Sequence, residues 1–419
     1  MTQQAHLRDA AWLKDGPLAR LLALLDCDGE EARVIGGAVR DALLSRPVGE
    51  IDVATTALPE EVVRRVEAAG CKAVPTGIEH GTVTVVVDHK PVEVTTLRQD
   101  VETFGRRARV KFGRDWKIDA ERRDFTINAL SATADGVVHD YVGGLADIGA
   151  RRVRFIGDPH TRIAEDFLRI LRFFRFHAYF GEGAPDPAGF LACIRGRSGL
   201  ETLSRERVHM ELLKLFVAPR ATPALAVMAE SGLLGMVLGA VAFIASFENM
   251  VKVEEKIGAA PDPVRRLGAL AVWVNEDAER LAQRIRLSNA EAKRLLALEP
   301  WWRIAPTRDG HAARALLYHL KPQVFTDRAL LAWARSQSGA ADESWRALAT
   351  LPQGWTAPVF PLKSADFVRR GVPAGPSLGV AMRAAEAAWI AADFPMNPPD
   401  LEAIADRAAQ KATALDQRS

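Results

Sequence analysis

The chain has 419 residues and a mass of 45.7 kDa, enough for two to four domains with cores of their own. A content of 48% hydrophobic and 26% charged residues describes a soluble globular protein and excludes a disordered one. The formal net charge of +2 excludes a globally basic chain, so any surface for nucleic acid must come from local segregation of charge. The three scattered cysteines, Cys27, Cys71 and Cys193, form no CxxC and no paired His/Cys spacing. They point to a reducing compartment, without a disulfide framework or a structural zinc site. The N-terminal stretch MTQQAHLRDAAWLKDG lacks the apolar core of a signal peptide. The longest uncharged run, Ser231 to Phe247, is short for a membrane span and reads as a buried helix. The expected location is the cytoplasm, with no membrane partner.

From about Arg33 to Asp147 strand-like runs alternate with helical patterns. In order they are RVIGG (strand), AVRDALLS (helix), GEIDVAT (strand), PEEVVRRVEAAG (helix), GTVTVVVDHKPVEVTTL (a hairpin turning at His89-Lys90-Pro91), RRDFTINALSA (helix) and GVVHDYVGG (strand). After Gly157-Asp158-Pro159 alternation stops and helical periodicity runs to the C-terminus. Breaks are expected at Pro185 and Pro187, Pro219, Pro261 and Pro263, Pro300, Pro306 and the stretch Pro352 to Pro361. The expected fold class is α+β: a head with one small sheet over residues 1–150, followed by an all-α neck (151–217), body (218–350) and tail (351–419). Trp301 and Trp302 read as helix-packing residues.

Chemistry concentrates near the start of the head. The Gly36-Gly37 pair lets the backbone approach phosphates, and the helix that begins after it favours anions at its N-terminus. In GEIDVAT, Glu50 and Asp52 fall on one face of a strand, while Glu93 in KPVEVTTL points away from the core face of its own strand. If the two strands are neighbours, the three carboxylates form one acidic cluster. Oxygen-only ligands of that kind suit Mg²⁺ or Mn²⁺. Further on, Arg151 to Arg175 holds seven arginines (151, 152, 154, 162, 169, 172, 175) against three acids (158, 165, 166). Within it Asp166 and Arg169 stand at i, i+3, one face of a helix. Cytosine and adenine each present an exocyclic amino donor beside a bare ring nitrogen, whereas uracil and guanine present the reverse. An Asp acceptor next to an Arg donor therefore matches C and A.

GGAVRD, a carboxylate-x-Asp, VEVTTLR, RRDFTINAL, DYVGG and EDFLRILR occur here in the order seen in class II tRNA nucleotidyltransferases. These are the CCA-adding enzymes, with the bacterial poly(A) polymerases as close relatives, and the resemblance covers roughly residues 30 to 215. It implies a polymerase-β-like nucleotidyltransferase head that adds CCA to the tRNA acceptor end from CTP and ATP with Mg²⁺, Mn²⁺ being possible. It implies that Gly36, Gly37, Arg40 and Asp41 cradle the triphosphate, and that Glu50, Asp52 and Glu93 hold metal. Arg122, Arg123, Asp124 and Asn128 are implied to contact ribose and phosphates, and Asp166 and Arg169 to read the base. Arg172 and Arg175 continue that face toward phosphates or the primer. The segment LSRERVHMELLKL resembles the neck helix, and PLKSADFVRRGVPAGPSLGVAMRAAE resembles the RNA-binding tail. In that tail Gly371, Gly375, Pro376 and Gly379 would build a helix–turn–helix.

The chain departs from the family's usual pattern at Glu50, where most members have Asp. The only His-Asp dipeptide, His139-Asp140, lies in the head, so no HD phosphohydrolase is expected. Other readings are a poly(A) polymerase, an enzyme adding only the terminal A, and a catalytically dead RNA-binding protein. The segment from Arg98 to Lys117 argues against a CC-only enzyme. The sequence leaves the oligomeric state open.

Overall fold

The computed structural model describes residues 5–104, 107–307 and 309–416. Gly105 and Arg106, inside the segment from Arg98 to Lys117, lie outside the described residues, as do the first four residues of the N-terminal stretch. The chain divides into two compact units, Met1–Ala242 with Arg284–Arg286, and Phe243–Gln283 with Leu287–Ser419. The four-part division expected from the sequence is finer than this.

The first unit is built on a seven-stranded sheet in the order β3-β4-β5-β2-β1-β8-β9. Its strands are β1 (Ala32–Ile35), β2 (Asp52–Thr55), β3 (Lys72–Gly77), β4 (Thr82–Val87), β5 (Lys90–Thr96), β8 (Ser131–Ala132) and β9 (Val138–His139); β6 (Arg98–Phe104) and β7 (Arg107–Phe112) form a separate antiparallel ribbon. Side chains alternate faces along a strand, and that parity sorts the sheet. Val34, Val53, Val83, Val85 and Val94 bury one face against Leu18, Leu21, Leu22 and Leu25 of helix Pro17–Leu25 and Val62 and Val66 of helix Pro59–Ala68. Each buried aliphatic side chain is worth about 1.5–3 kcal/mol, so this face fixes the register. The opposite face is left for chemistry. There Ile35 pairs with Asp52, Asp52 with Glu93, and Glu93 with Thr84.

Two residues, Asp88 and His89, join β4 to β5, both in the left-handed region with φ of 48° and 63°. The turn lies one residue ahead of the expected His89-Lys90-Pro91. A two-residue hairpin turn of this kind needs positive φ at both positions, which proline cannot adopt, so Pro91 sits inside β5 opposite Val86.

Three other expectations in this unit are corrected. Strand β2 begins only at Asp52, and Glu50 lies in the exposed bend before it. RRDFTINALSA is not a helix: Phe125 bridges Phe155, Thr126–Asn128 is a short 3₁₀ turn, and the chain runs into β8. Tertiary bonds outweigh helical propensity here, since Leu130 O accepts from Gly36 N and Thr126 Oγ1 donates to buried Asp147. Asp166 is outside any helix. It occupies the break between helices Pro159–Glu165 and Leu168–Phe180 with φ −157° and ψ 107°.

Among the described residues no strand follows His139, and helices carry the rest of both units. Asp158 caps helix Pro159–Glu165, accepting from Thr161 N at 2.8 Å, with Pro159 at the first helical position. The run Ser231 to Phe247 is broken at Gly239, whose φ is 62°, so it is not one buried helix. Pro352 lies within helix Glu343–Gly354 and does not end it. In the second unit Phe367, Trp389 and Ile404 centre an apolar core that includes helices Pro376–Ala391 and Pro398–Asp416. Trp301 packs edge-on against Trp273, while Trp302 is half exposed. Glu254 there accepts from Arg265 and Arg266, each at 2.7 Å, and Asp327 from Arg294 at 2.6 Å. No helix among the described residues is long and apolar enough to cross a membrane.

Candidate active site

Strand β1 ends at Ile35 and the chain turns at Gly36, with φ of 67°, into helix Gly37–Leu43. A side chain at Gly36 would meet Arg123 Nη1 at 3.5 Å and Asn128 O at 3.6 Å. Both are ordinary contact distances, so it is the left-handed backbone that calls for glycine here. Arg40 is not directed to solvent. Its guanidinium is buried, donates to Asn128 Oδ1 at 2.6 Å and to Asp41, and stacks 3.9 Å from the Phe180 ring centre. Burial lowers its pKa and Asp41 opposes that shift. Arg40 thus braces Asp41 and Asn128 with its Nη2 3.6 Å from where a Cβ on Gly37 would stand, and Arg123 is the cation beside Gly36.

The acidic pair is set by strand register. Asp52 and Glu93 stand side by side on the parallel strands β2 and β5, at the end of the sheet that meets the glycine turn. Loss of hydration raises the Asp52 pKa first, Glu93 and Glu50 raise it further, and Arg123 opposes them. The structure brings Asp52 and Glu93 together, with Glu50 near enough to be felt but held in its exposed bend. Among the described residues no three acids, histidines or cysteines close into a cluster ready to hold a metal, so the expected three-acid group is here a pair with an outlier. Glu50 lies outside strand β2, in the exposed bend before it.

The arginines of RRDF are tied down by a helix just ahead of them. Asp119 accepts from Arg122 at 2.7 Å and from Arg123 at 3.1 Å. Asp124 accepts from Asn128 at 3.2 Å through Oδ1 and from Arg172 Nε at 2.8 Å through Oδ2. Burial would raise Asp124, but the Arg172 charge and hydrogen bonds hold it below its ordinary value. Arg172 also approaches Glu211, at 3.7 Å, and Glu211 accepts from Arg175 Nε at 2.6 Å. A chain of polar contacts thus runs Arg40–Asn128–Asp124–Arg172–Glu211–Arg175.

Asp166 and Arg169 face different partners. Arg169 pairs with Glu165 and donates to Arg162 O at 2.6 Å, and Arg162 itself donates to the carbonyls of Arg122 and Arg123. Asp166 Oδ2 accepts from Arg207 at 2.6 Å. Sequence reasoning missed Arg162, Arg207 and Glu211. The available signal was the i, i+4 spacing of Arg207 and Glu211 on helix Arg205–Phe216.

In the tail, Gly371 (φ 83°) and Gly375 (φ 128°) lie between helices Ser364–Val368 and Pro376–Ala391, with Pro376 opening the second. Gly379 is not in the turn; it is inside the second helix, where a Cβ would stand 3.3 Å from Arg383 Nη1.

Residues 32–154 match the model of the poly A polymerase head domain, and residues 186–243 match that of the probable RNA and SrmB-binding site of polymerase A. The mitochondrial CCA tRNA nucleotidyltransferase 1 of Danio rerio is 32% identical over 411 residues, which is 96% of this chain and 93% of that protein. A CCA-adding enzyme of Leuconostoc citreum is 41% identical over 217 residues, 51% of this chain and 52% of its own length. The crystal structure of the Bacillus stearothermophilus CCA-adding enzyme in complex with CTP superimposes with a TM-score of 0.74 at 28% identity, covering 96% of this chain and 98% of the other. With a relative of this identity matched over nearly its whole length, the chain belongs to the CCA tRNA nucleotidyltransferase family.

Proposed function

We propose that this protein adds C, C and A to the 3′ end of tRNA from CTP and ATP without a nucleic-acid template, releasing pyrophosphate. One observation carries the reading: a CCA tRNA nucleotidyltransferase matches over 96% of this chain and 93% of its own length. The head model that matches is named for poly(A) polymerases, so a poly(A) or A-only activity is the second reading. Whole-length similarity to CCA-adding enzymes favours the first.

Divalent-metal dependence comes with the family, and we propose Mg²⁺, with Mn²⁺ accepted. The donor set fits: Asp52 and Glu93 offer only oxygen, and each raises the energy of the other's charge until a cation offsets it. When bound, the metal polarises the reacting phosphate and the attacking hydroxyl. Glu50, with one more methylene than Asp, would have to reach in from its bend to serve as a third ligand, and would then favour the larger ion.

Gly36 and Gly37 admit the triphosphate next to Arg123, which offsets charge on the phosphates. The 3′ oxygen of the primer attacks the α-phosphorus, a new O–P bond forms, the bond to the β-phosphate oxygen breaks, and the hydroxyl proton leaves to solvent. Asp124 and Asn128 accept from and donate to the ribose, while Arg40, Asp41 and Arg122 keep that wall in place. Asp166 and Arg169 read the base, with Arg169 exchanging its Glu165 contact for the ring nitrogen. Arg172 and Arg175 present positive charge to the primer, and the Gly375 turn with the start of the helix that holds Gly379 meets the tRNA backbone. In this reading residues 1–150 act as head, 151–217 as neck, 218–350 as body and 351–419 as tail. Three free cysteines support a reducing compartment, for which we propose the cytoplasm.

The test offers the purified protein tRNA ending before, within and after CC, with labelled CTP or ATP and Mg²⁺ or Mn²⁺. Two C and one A followed by arrest are expected. A long A tail points to poly(A) synthesis, A added only to CC-ended tRNA to the split system, and RNA retention without incorporation under either metal to a dead enzyme.

A further inference from the structure

We propose that Arg207 is a positioning residue for base selection, holding the Asp166 carboxylate as a hydrogen-bond acceptor in one fixed orientation. The inference rests on the reading of Asp166 as a base reader. Asp166 sits in a break between helices, where backbone regularity does nothing to orient its side chain. Two donors hold it instead. Oδ1 accepts from Leu168 N at 3.1 Å, and Oδ2 accepts from Arg207 Nη2 at 2.6 Å. An ionised carboxylate has about four lone-pair sites, so both contacts leave acceptor capacity for an incoming amino group. What they remove is rotation. A carboxylate free to turn can follow the N3–H of uracil as readily as the N4 amino group of cytosine. A pinned one presents its remaining lone pairs in one place.

The helix that carries the donor is itself held. Glu211, one turn further along the same helix and only 7% exposed, takes Arg175 at 2.6 Å and approaches Arg172 at 3.7 Å. Arg172 in turn grips Asp124. One face of helix Arg205–Phe216 therefore grips the base reader directly and the ribose reader through Arg172. Loss of Arg207 would not be compensated by packing. An open cleft of about 470 Å³, lined by Glu165, Phe167, Thr202 and Ser204, flanks the Asp166–Arg207 pair and gives a released carboxylate room to swing. Arg207 is 25% and Asp166 16% exposed, and the pair borders the open cleft, so the melting temperature is followed beside selectivity to separate positioning from stability.

The experiment measures kcat and KM for CTP, ATP, UTP and GTP, and Tm, in the full chain and in Arg207→Met, Arg207→Gln, Arg207→Lys and Asp166→Ala. The Met and Gln variants should lower the CTP-over-UTP ratio of kcat/KM by about tenfold, the scale of one lost charge-assisted hydrogen bond, with the loss mainly in KM for CTP. Lys should restore part of it, and Tm should stay near the parent value. Unchanged selectivity in the Arg207 variants, with selectivity lost in Asp166→Ala, would overturn the role of Arg207 and leave the base reader standing. Unchanged selectivity in Asp166→Ala would remove the base reader itself. A uniform loss for all four nucleotides with a lowered Tm in both Met and Gln variants would make Arg207 structural and overturn the proposal.

Discussion

Each unit contains a network of arginines and carboxylates, and the two differ in access to water. In the first, Asp124, Arg172, Glu211 and Arg175 run from the nucleotide wall to helix Arg205–Phe216, and Arg172 remains about one-third exposed. In the second, Glu254 and Asp327 are 1% exposed and are enclosed by Arg265, Arg266 and Arg294. The chemistry of the pairs is the same. The open network keeps lone pairs and charge where a ligand can arrive, whereas the sealed one has used its bonding capacity on itself. Ion pairs alone do not mark a site; residual access does.

That contrast can be broken most severely at the acidic pair. Asp52→Ala should cut nucleotide incorporation by roughly a hundred- to a thousandfold while tRNA retention on a filter stays close to the parent's; sustained turnover would end its metal role. In the sealed network, Glu254→Gln leaves two buried guanidinium groups short of charge and should cost about 3–5 kcal/mol in denaturant unfolding. Its base choice at low temperature should be unaltered, and a cost under about 1 kcal/mol would mean that water reaches the network after all.

Asp119, buried between Arg122 and Arg123, gives a pH signature. Burial raises its pKa, but the two arginines win and hold it below the ordinary value. A lowered folded pKa makes the unfolded chain take up the proton first as pH falls. The stabilisation is therefore complete above the ordinary aspartate value of about 3.9 and is lost as pH drops from there through the folded pKa. Asp119→Asn should cost about 1.5–3 kcal/mol near neutral pH and flatten the acid limb of the stability curve; an unchanged acid limb would mean that the pair contributes nothing. The smallest effect is expected in the tail. Gly375→Ala meets no neighbouring atom, so only its φ of 128° resists, at about 1–3 kcal/mol of local strain. Melting should shift by a few degrees or less, and tRNA affinity should fall only if the turn meets the backbone.

Much of the head could be read from the alternation of Val83, Val85 and Val87 and from Glu93 standing between Val92 and Val94. Parity alone put Glu93 on the face away from the core. What failed was context. Nothing in GEIDVAT says that strand pairing begins at Asp52, because that start is set by distant partners: Asp52 meets Ile35, the last residue of β1, and Glu93, in the middle of β5. RRDFTINALSA has helical spacing, yet its buried bonds to Asp147 and Gly36 come from residues distant in sequence. Strand β3 escaped notice because it is a polar edge containing Pro75, with no apolar pattern to announce it. The partner of Asp166 was hidden by distance, since Arg207 is 41 residues away, whereas Glu165, which takes Arg169, stands only four residues from it.

The two-residue turn at Asp88–His89 acts as a counting device for the acid pair. Because Val87 faces Lys90 across it, Glu93 falls opposite Thr84 and beside Asp52. One additional residue there, if not bulged out locally, would exchange the faces of every position in β5, sending Val92 and Val94 to water and the carboxylate into the leucine core. The loop carries none of the candidate site residues, yet its length decides whether this chain has a carboxylate pair at all.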